Sequence, residues 1–305
     1  MTDFPQFVCA GEALTDMLRT DSDDWKSLVG GSTWNVARNL AKLGLRTGFA
    51  GAISEDVFGD ALYAANEQAG LDMRLLQRFK RSPLLAIVAE TAPPKYFFIG
   101  EDSADLYFSP AALPDGWNRD LQWIHFGGIS LAREPLATTL ISLARQCKKD
   151  GVKISYDPNF RNLMDDRYDA TLRTMTQLAD VIKISYDDLR GLFRQENADL
   201  ALTQLREFNP EAVYLYTCGA AGASLHLGDQ TWQALPPQIN VIDTIGAGDA
   251  SIAGLLYSLH KTPEKTWQEH LDFSVASGAA ACLAAGAQAP ELAQVSALYE
   301  QIKKN

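Results

Sequence analysis

Apolar and polar positions along the chain fall into two alternating patterns. Short continuous apolar runs ending at glycine or a polar residue mark strands buried on both faces. Such runs occur at Phe7 to Gly11, Thr47 to Ala52, Trp123 to Phe126, Val152 to Tyr156, Val181 to Ile184 and Ala212 to Tyr216, with a shorter one at Ile239 to Ile242. Between them lie stretches with helical spacing. These are Asn35 to Leu43, which Ser32 and Thr33 could cap and Gly44 stops, then Gly59 to Gln68, Glu134 to Lys149 and Ala170 to Leu178. Gly246 to Leu259, Trp267 to Ala285 and Glu291 to Ile302 complete the set. From about residue 120 onward the alternation predicts a mostly parallel sheet with helices on both faces, an α/β fold. Ligands in such sheets bind beyond the carboxyl ends of the strands. Leu14 to Thr20 and Leu84 to Ser109 break the pattern, being strand-like with no helix between strands. They are expected to form a small separate β-layer. Tyr96-Phe97-Phe98 within it would be exposed unless it covers something, which makes the layer either an edge hairpin or a lid.

Composition narrows the partners. The chain has 305 residues, 47% apolar and 21% charged, which suits a soluble globular protein. Lys and Arg number 27 against 38 Asp and Glu, a formal charge of −11. An acidic surface of this kind argues against nucleic acid or a membrane surface as partner. Cys9, Cys147, Cys218 and Cys282 are far apart with no C-x-x-C pair, so neither a zinc site nor a disulfide framework is expected. No basic-then-apolar leader and no membrane-length apolar run is present, and the expected location is cytoplasmic.

The strongest chemical signal is Asp243-Thr-Ile-Gly-Ala-Gly-Asp249 at the start of a helix. Gly246 and Gly248 allow close backbone approach, and the free N–H groups of a helix start form an anion hole. A carboxylate inside such a hole repels a phosphate unless its task is to take a proton from an attacking hydroxyl. Asp249 is therefore a candidate general base, with the alternative that it is an ordinary first-turn acid favoured by the helix dipole. There is no Gly-Lys pair for a Walker loop and no His-Glu pair for a zinc motif. Gly128-Ile-Ser130-Leu-Ala132 follows a predicted strand and precedes a helix, as a serine-hydrolase elbow would, with His226, His260 and His270 downstream. Ser130 otherwise reads as a cap.

Six ordered motifs resemble the ribokinase-like carbohydrate kinases, the phosphofructokinase-B group. They are Gly11-Glu-Ala-Leu with Asp16; Gly30-Gly31-Ser-Thr-Trp-Asn35-Val-Ala37; Gly51 through Asp56 to Gly59; Asp157-Pro-Asn159-Phe-Arg161; Thr217-Cys-Gly219-Ala-Ala-Gly222; and Asp243 to Ala250. The resemblance implies a three-layer sandwich, with residues 1–305 as one kinase domain and a β-lid from about 12–20 and 84–110. It implies that Asp249 is the base and that the N–H groups of Gly246, Ala247 and Gly248 form the oxyanion hole. Asp16, Gly31, Asn35 and Arg161 would bind the sugar. Lys183, Thr217, Gly219, Gly222, Gly248, Ser274 and Ser277 would border ATP. The family's magnesium-linked N-x-x-E stands here as Ser185-Tyr-Asp187-Asp188. Asp188 is thereby the candidate Mg²⁺ residue, acting through water. A monovalent cation such as K⁺ near the Asp243 loop and a homodimer paired through the lid would also suit the family.

Gly11-Glu-Ala-Leu-x-Asp and Ser103-Ala104-Asp105 resemble the fructokinase subgroup. Ile99-Gly100-Glu101-Asp102 stands where that subgroup often carries an Arg, and its carboxylates oppose an acidic sugar. Fructose is the expected substrate. 2-Keto-3-deoxygluconate, ribose, a nucleoside stacked on Tyr96, Phe97, Phe98 or Trp34, and a non-catalytic sugar or nucleotide sensor are the alternatives. Lys95 and Arg161 are the motif-linked cations an acidic sugar could use.

Overall fold

The computed structural model describes residues 3–91 and 94–304, and for 90–96 it describes the backbone at most. Lys95 and the Tyr96 ring, both named above, thus lie outside the described side chains.

Six predicted runs become the parallel strands β1 (Phe7–Ala10), β4 (Thr47–Ser54), β8 (Trp123–Gly127), β9 (Lys153–Asp157), β10 (Val181–Ser185) and β11 (Val213–Thr217). The apolar pattern does not mark β5 (Leu76–Phe79) or the antiparallel edge hairpin of β12 (Ala223–Leu227) and β13 (Gln230–Ala234). All nine join one sheet in the order β13-β12-β11-β10-β9-β8-β1-β4-β5. The order reverses at β1, which pairs with β4 on one side and β8 on the other. That reversal opens a crevice at the strand ends. The run at Ile239 to Ile242 is no strand. Val241 and Ile242 are exposed, and the Ile242 N–H donates to Cys282 O at 2.9 Å. Among the described residues the segment has no neighbouring strand, so its apolar character alone could not make it one.

Helices cover both faces. On one side lie α3 (Leu136–Lys149), α4 (Asp169–Leu178), α5 (Tyr186–Phe193) and α6 (Ala198–Phe208). Leu140, Leu172, Leu189 and Leu205 pack there onto Val8, Ile124 and Ile154. On the other lie α1 (Ser32–Lys42), α2 (Val57–Gln68), α7 (Ala247–Lys261) and α8 (Trp267–Ala281), backed by α9 (Leu292–Ile302). Val36, Leu62, Ile252 and Leu271 meet Phe7, Cys9 and Phe49 on that face. Strand residues thus feed the two cores alternately, as the pleat requires. The predicted helix to Ala285 stops at Ala281, because Cys282 turns the chain and Gly286 (φ +72°) leaves helical space.

The strand-like breaks form a second sheet of four strands. It contains β2 (Leu14–Arg19), β3 (Trp25–Gly30), β6 (Leu85–Thr91) and β7 (Pro94–Ile99), in the order β3-β2-β6-β7. β3 is not among the predicted strands, because Lys26 and Ser27 interrupt its apolar residues. Register assigns the faces. Met17 pairs with Ser27 and Ile87, and Ile87 with Phe97, so these share one face with Trp25 and Ile99. Asp16 shares the opposite face with Leu14, Ala86 and Phe98. Leu14, Ala86 and Phe98 cluster with Ile129, which lies just past the end of β8, so this second face looks onto the strand ends of the main sheet.

Candidate active site

Every parallel strand between β4 and β11 ends toward one edge, and most of the sequence-derived candidates collect there. β9 ends at Asp157 and β10 carries Lys183. Lys183 is buried and lies 3.1 Å from Asp157 and 3.6 Å from Asp188. Burial opposes its charge, yet Asp157, Asp188 and Asp249 outweigh that and raise the ammonium above its usual range. Burial pushes Asp157 up to about 7 despite Lys183. Burial acts the same way on Asp188, but Lys183 and the Ser185 hydrogen bonds hold it below the ordinary carboxylate value.

Asp249 sits in the first turn of α7, buried, beyond Gly246 in the left-handed region at φ +81°. The Ala247 N–H is turned back to Thr244 O at 3.2 Å. That departs from the expected three-donor hole, because a tight turn uses the middle N–H internally. Among the described residues the Gly246 and Gly248 N–H groups have no acceptor. A Cβ on Gly248 would stand 3.0 Å from Lys183 Nζ, so glycine lets the helix start sit against the ammonium. Two groups from α1 hold Asp249. Asn35 Nδ2 donates to it at 2.9 Å and Ser32 Oγ at 2.8 Å. Burial raises the Asp249 pKa, and these bonds, Lys183 and Arg161 counter it in part.

The helix that supplies those groups starts without a side-chain cap. Ser32, expected as a cap, is spent on Asp249, and Thr33 donates to Glu12 O at 2.9 Å. Gly31 begins the helix at φ +114°, and a Cβ there would meet Glu12 O at 2.7 Å. No other residue fits that junction without moving the loop. Asp16 lies on the inner face of the small sheet. Burial lifts it to about 6, opposed by Arg161. Arg161 Nη1 donates to Asn159 Oδ1 at 2.6 Å, and Asn159 bends the chain at φ +48°. Thr217 ends β11, and Gly219 and Gly222 close the following turn through Cys218 N to Gly222 O at 2.8 Å. That turn is adjacent to Ser185 through the β10–β11 register.

These contacts correct the expectations for Ser274 and Ser277. Ser274 and Ser277 are buried, and their hydroxyls donate to Ser251 O and Phe273 O in the packing of α8 on α7. They do not reach the crevice. Asp188, expected to meet Mg²⁺ through water, also serves its own helix. It accepts from Phe160 N and Ser185 N, and with Ser185 it makes the capping box of α5. Direct ligation would displace those donors and compete with Lys183. Among the described residues no group of three or more His, Cys, Asp or Glu is placed to hold a metal.

The pfkB family carbohydrate kinase model matches residues 6–294. The chain belongs to the pfkB family of carbohydrate kinases. It is 30% identical to the fructokinase of Escherichia coli over 287 residues, 91% of this chain and 93% of that one. The crystal structure of the Xylella fastidiosa fructokinase with bound ATP superposes with TM-score 0.88 at 26% identity, covering 99% of this kinase and 100% of that chain. Aminoimidazole riboside kinase from Salmonella enterica, complexed with its riboside and an ATP analogue, gives 0.84 at 26% identity, with coverages of 96% and 99%. The fold is ribokinase-like.

The hydrolase alternative fails on geometry. Ser130 of this kinase is fully buried and donates to Glu12 rather than to a histidine. His226 bonds Ser224 and Thr231, His270 bonds Ser258, and His260 meets the Phe7 ring edge-on at 5.0 Å. The four cysteines are free, and none of the described helices is long and apolar enough to cross a membrane. Sequence reading misses Ser32 as a holder of the candidate base Asp249, although its place three residues before Asn35 in the Gly-Gly-x-x-x-Asn motif is the available signal. It also misses the group beneath the small sheet. There Arg133 pairs with Asp105 and donates to Gly100 O, and to Ser103 Oγ at 2.9 Å.

Burial raises Glu12 from 4.5 to about 7. A carboxyl group raised on folding favours the folded state while protonated. The advantage is whole below pH 4.5 and lost as pH climbs through about 7. Glu12→Gln keeps an acceptor for Ser130 without the charge. It should unfold in urea like the parent at pH 4.5 and be more stable by about 1–3 kcal/mol at pH 8. Equal stability at pH 8 would show that Glu12 carries no such penalty.

Proposed function

We propose that this kinase transfers the γ-phosphoryl group of ATP to the primary hydroxyl of a neutral sugar, fructose first. The supporting observation is Asn35. Its Nδ2 holds Asp249, while its Oδ1 is buried with no hydrogen-bond partner among the described residues. A buried acceptor without a donor is costly, and a sugar hydroxyl would satisfy it. The same array of hydroxyl groups would reach Asp16 from above. The chain is read as one domain, with the small sheet closing over this point as the lid.

Phosphoryl transfer then needs three things from the chain itself. Asp249 takes the proton as the sugar oxygen attacks the γ-phosphorus, and the bond from that phosphorus to the β-bridging oxygen breaks, leaving ADP. The free N–H groups of Gly246 and Gly248, with the α7 dipole and the nearby Lys183, stabilise charge on the phosphoryl oxygens. Burial keeps water from competing as acceptor. The described residues offer no metal cage, so Mg²⁺ enters as the ATP chelate and would meet Asp188 only through water, as is usual for this ion. Asp243 accepts from Ile245 N at 3.1 Å and Gly286 N at 2.8 Å, so it braces the loop where a monovalent cation would bind.

Fructose is favoured over the alternatives on the lid's register. A nucleobase would need an aromatic face, but among the described side chains Phe97 is on the side away from Asp16, Trp34 is fully buried and donates to Asn66, and Phe98 packs in the lid cluster. Arg133, a cation near the lid base, is neutralised by Asp105. The outer lid face carries exposed Trp25, Phe97 and Ile99, and pairing of two chains would cover it.

Release of ADP should be measured with ATP and Mg²⁺ across fructose, ribose, 2-keto-3-deoxygluconate, tagatose 6-phosphate, adenosine and aminoimidazole riboside. Fructose should give the highest kcat/KM, and a riboside ahead of it would overturn the lid reading. Asp249→Asn should lower kcat by at least ~10². Because burial raises Asp249, the parent's activity should fall with decreasing pH from above the ordinary Asp range of about 4. Undiminished turnover in the variant would remove Asp249 as the base. In sedimentation the parent should run as a dimer, and Phe97→Glu should convert it to monomer. A monomeric parent would refute pairing.

A further inference from the structure

Arg38 lies on α1, three residues past Asn35 and four past Trp34. Its guanidinium carbon is 4.4 Å from the Trp34 ring centroid. Trp34 is itself fixed, being 1% exposed with Nε1 donating to Asn66 Oδ1 at 3.1 Å. Stacking on an immobile ring leaves the guanidinium few positions. From there Arg38 Nη2 donates to Ala287 O at 3.1 Å, across 249 residues of chain.

Ala287 is where the segment after α8 meets the phosphoryl-transfer turn. A Cβ on Gly246 would stand 2.9 Å from Ala287 Cβ and 3.0 Å from its Cα, so the two backbones abut. The neighbouring chain is tied to the same turn by Gly286 N to Asp243 Oδ2 at 2.8 Å and Ile242 N to Cys282 O at 2.9 Å. Leu283 still packs against the α8–α9 cluster, but residues 284–287 are Ala-Ala-Gly-Ala, with little side chain to interlock. Hydrogen bonds therefore set their position. The charge facing Arg38 from α7 is Asp249. Burial draws the guanidinium down from its usual range, and Asp249 offsets part of that.

We propose that Arg38 is a positioning residue. It fixes Ala287 against Gly246 and so ties the helix that holds the base to the turn that holds the anion hole. Asn35 and Ser32 fix Asp249 from α1, whereas the N–H donors come from Gly246 and Gly248. The hydroxyl, the base and the donors must agree to a fraction of an ångström for in-line attack, and about 1 Å of error costs ~10² in rate. Arg38 links the two halves without touching either reactant. The inference rests on the kinase mechanism above, and its test has an arm that does not.

Arg38→Met keeps the apolar stem over Trp34 and removes the donors. Arg38→Lys keeps one donor and the charge. In Arg38→Met, kcat should fall roughly 3- to 30-fold, with the sugar KM changed less than about 3-fold and the melting temperature within a few degrees of the parent. Arg38→Lys should recover part of kcat. Hydrogen exchange at the amides of residues 244–249 should quicken in Arg38→Met while the β12–β13 hairpin stays as protected as before. Unchanged kcat, a loss confined to sugar KM, or a loss no larger than the unfolded fraction would overturn the proposal. If the parent phosphorylates nothing, the kinase mechanism fails. Exchange then decides the tie alone, faster exchange at 244–249 upholding it and unchanged exchange refuting it.

Discussion

One ammonium group organises the functional end of this protein. Lys183 projects from a central strand into a space shared by Asp157, Asp188 and Asp249, which come from β9, α5 and α7. Three buried carboxylates without a cation would be driven to protonate, and Asp249 could then accept nothing. With Lys183 present the charges are partly balanced, and the ammonium also touches the space that Gly248 leaves open. Lys183 alone is thus a reason for glycine at position 248, whatever anion the turn would hold.

That balance explains why the site spans so much of the chain. Each carboxylate sits at the end of an element whose other end is anchored in one of two apolar cores. Val8, Ile124 and Ile154 serve one face of the sheet, and Phe7, Cys9 and Phe49 the other. The strands hold position to the precision of core packing. Loops that start from such strands inherit that precision over a residue or two, as at Asp157, the last residue of β9. Further from the strands, positions rest on hydrogen bonds such as those of Asp243 and Arg38.

Much of this is legible in the order of residues alone. The six parallel strands and the candidate base Asp249 are written in apolar runs and in the Gly-Ala-Gly-Asp start, because burial on both faces and close backbone approach each demand particular residues. What is not legible is pairwise. Ser32 reads as a cap and becomes a holder of Asp249 only when α7 arrives beside α1. Ser274 and Ser277 read as site residues, yet small side chains also serve close helix packing, and here Ser277 fills the gap beside Gly254. Asp188 reads only as a residue toward Mg²⁺, and its capping role appears once Ser185 and Phe160 are in place. Strand β3 is hidden because an edge strand with exposed polar residues carries no apolar run.

Substrate choice depends on the same kind of pairwise fact. Phe97 and Phe98 are adjacent in sequence and read as equivalent candidates for stacking a base. The pleat sends them to opposite faces, and the pairing of β7 with β6 decides which faces Asp16. A register one residue different would turn Phe97 inward beside Asp16 and put Phe98 outside. The observed register instead gives the inner face a carboxylate, small apolar residues and a Phe98 already packed against Leu14 and Ala86. Such a surface can accept hydroxyls at Asp16 and exclude water around them, and among its described side chains it has no open aromatic face to offer a planar base. On the proposed reading, discrimination between a sugar and a nucleoside would rest on strand register as well as on which aromatic residues the lid contains.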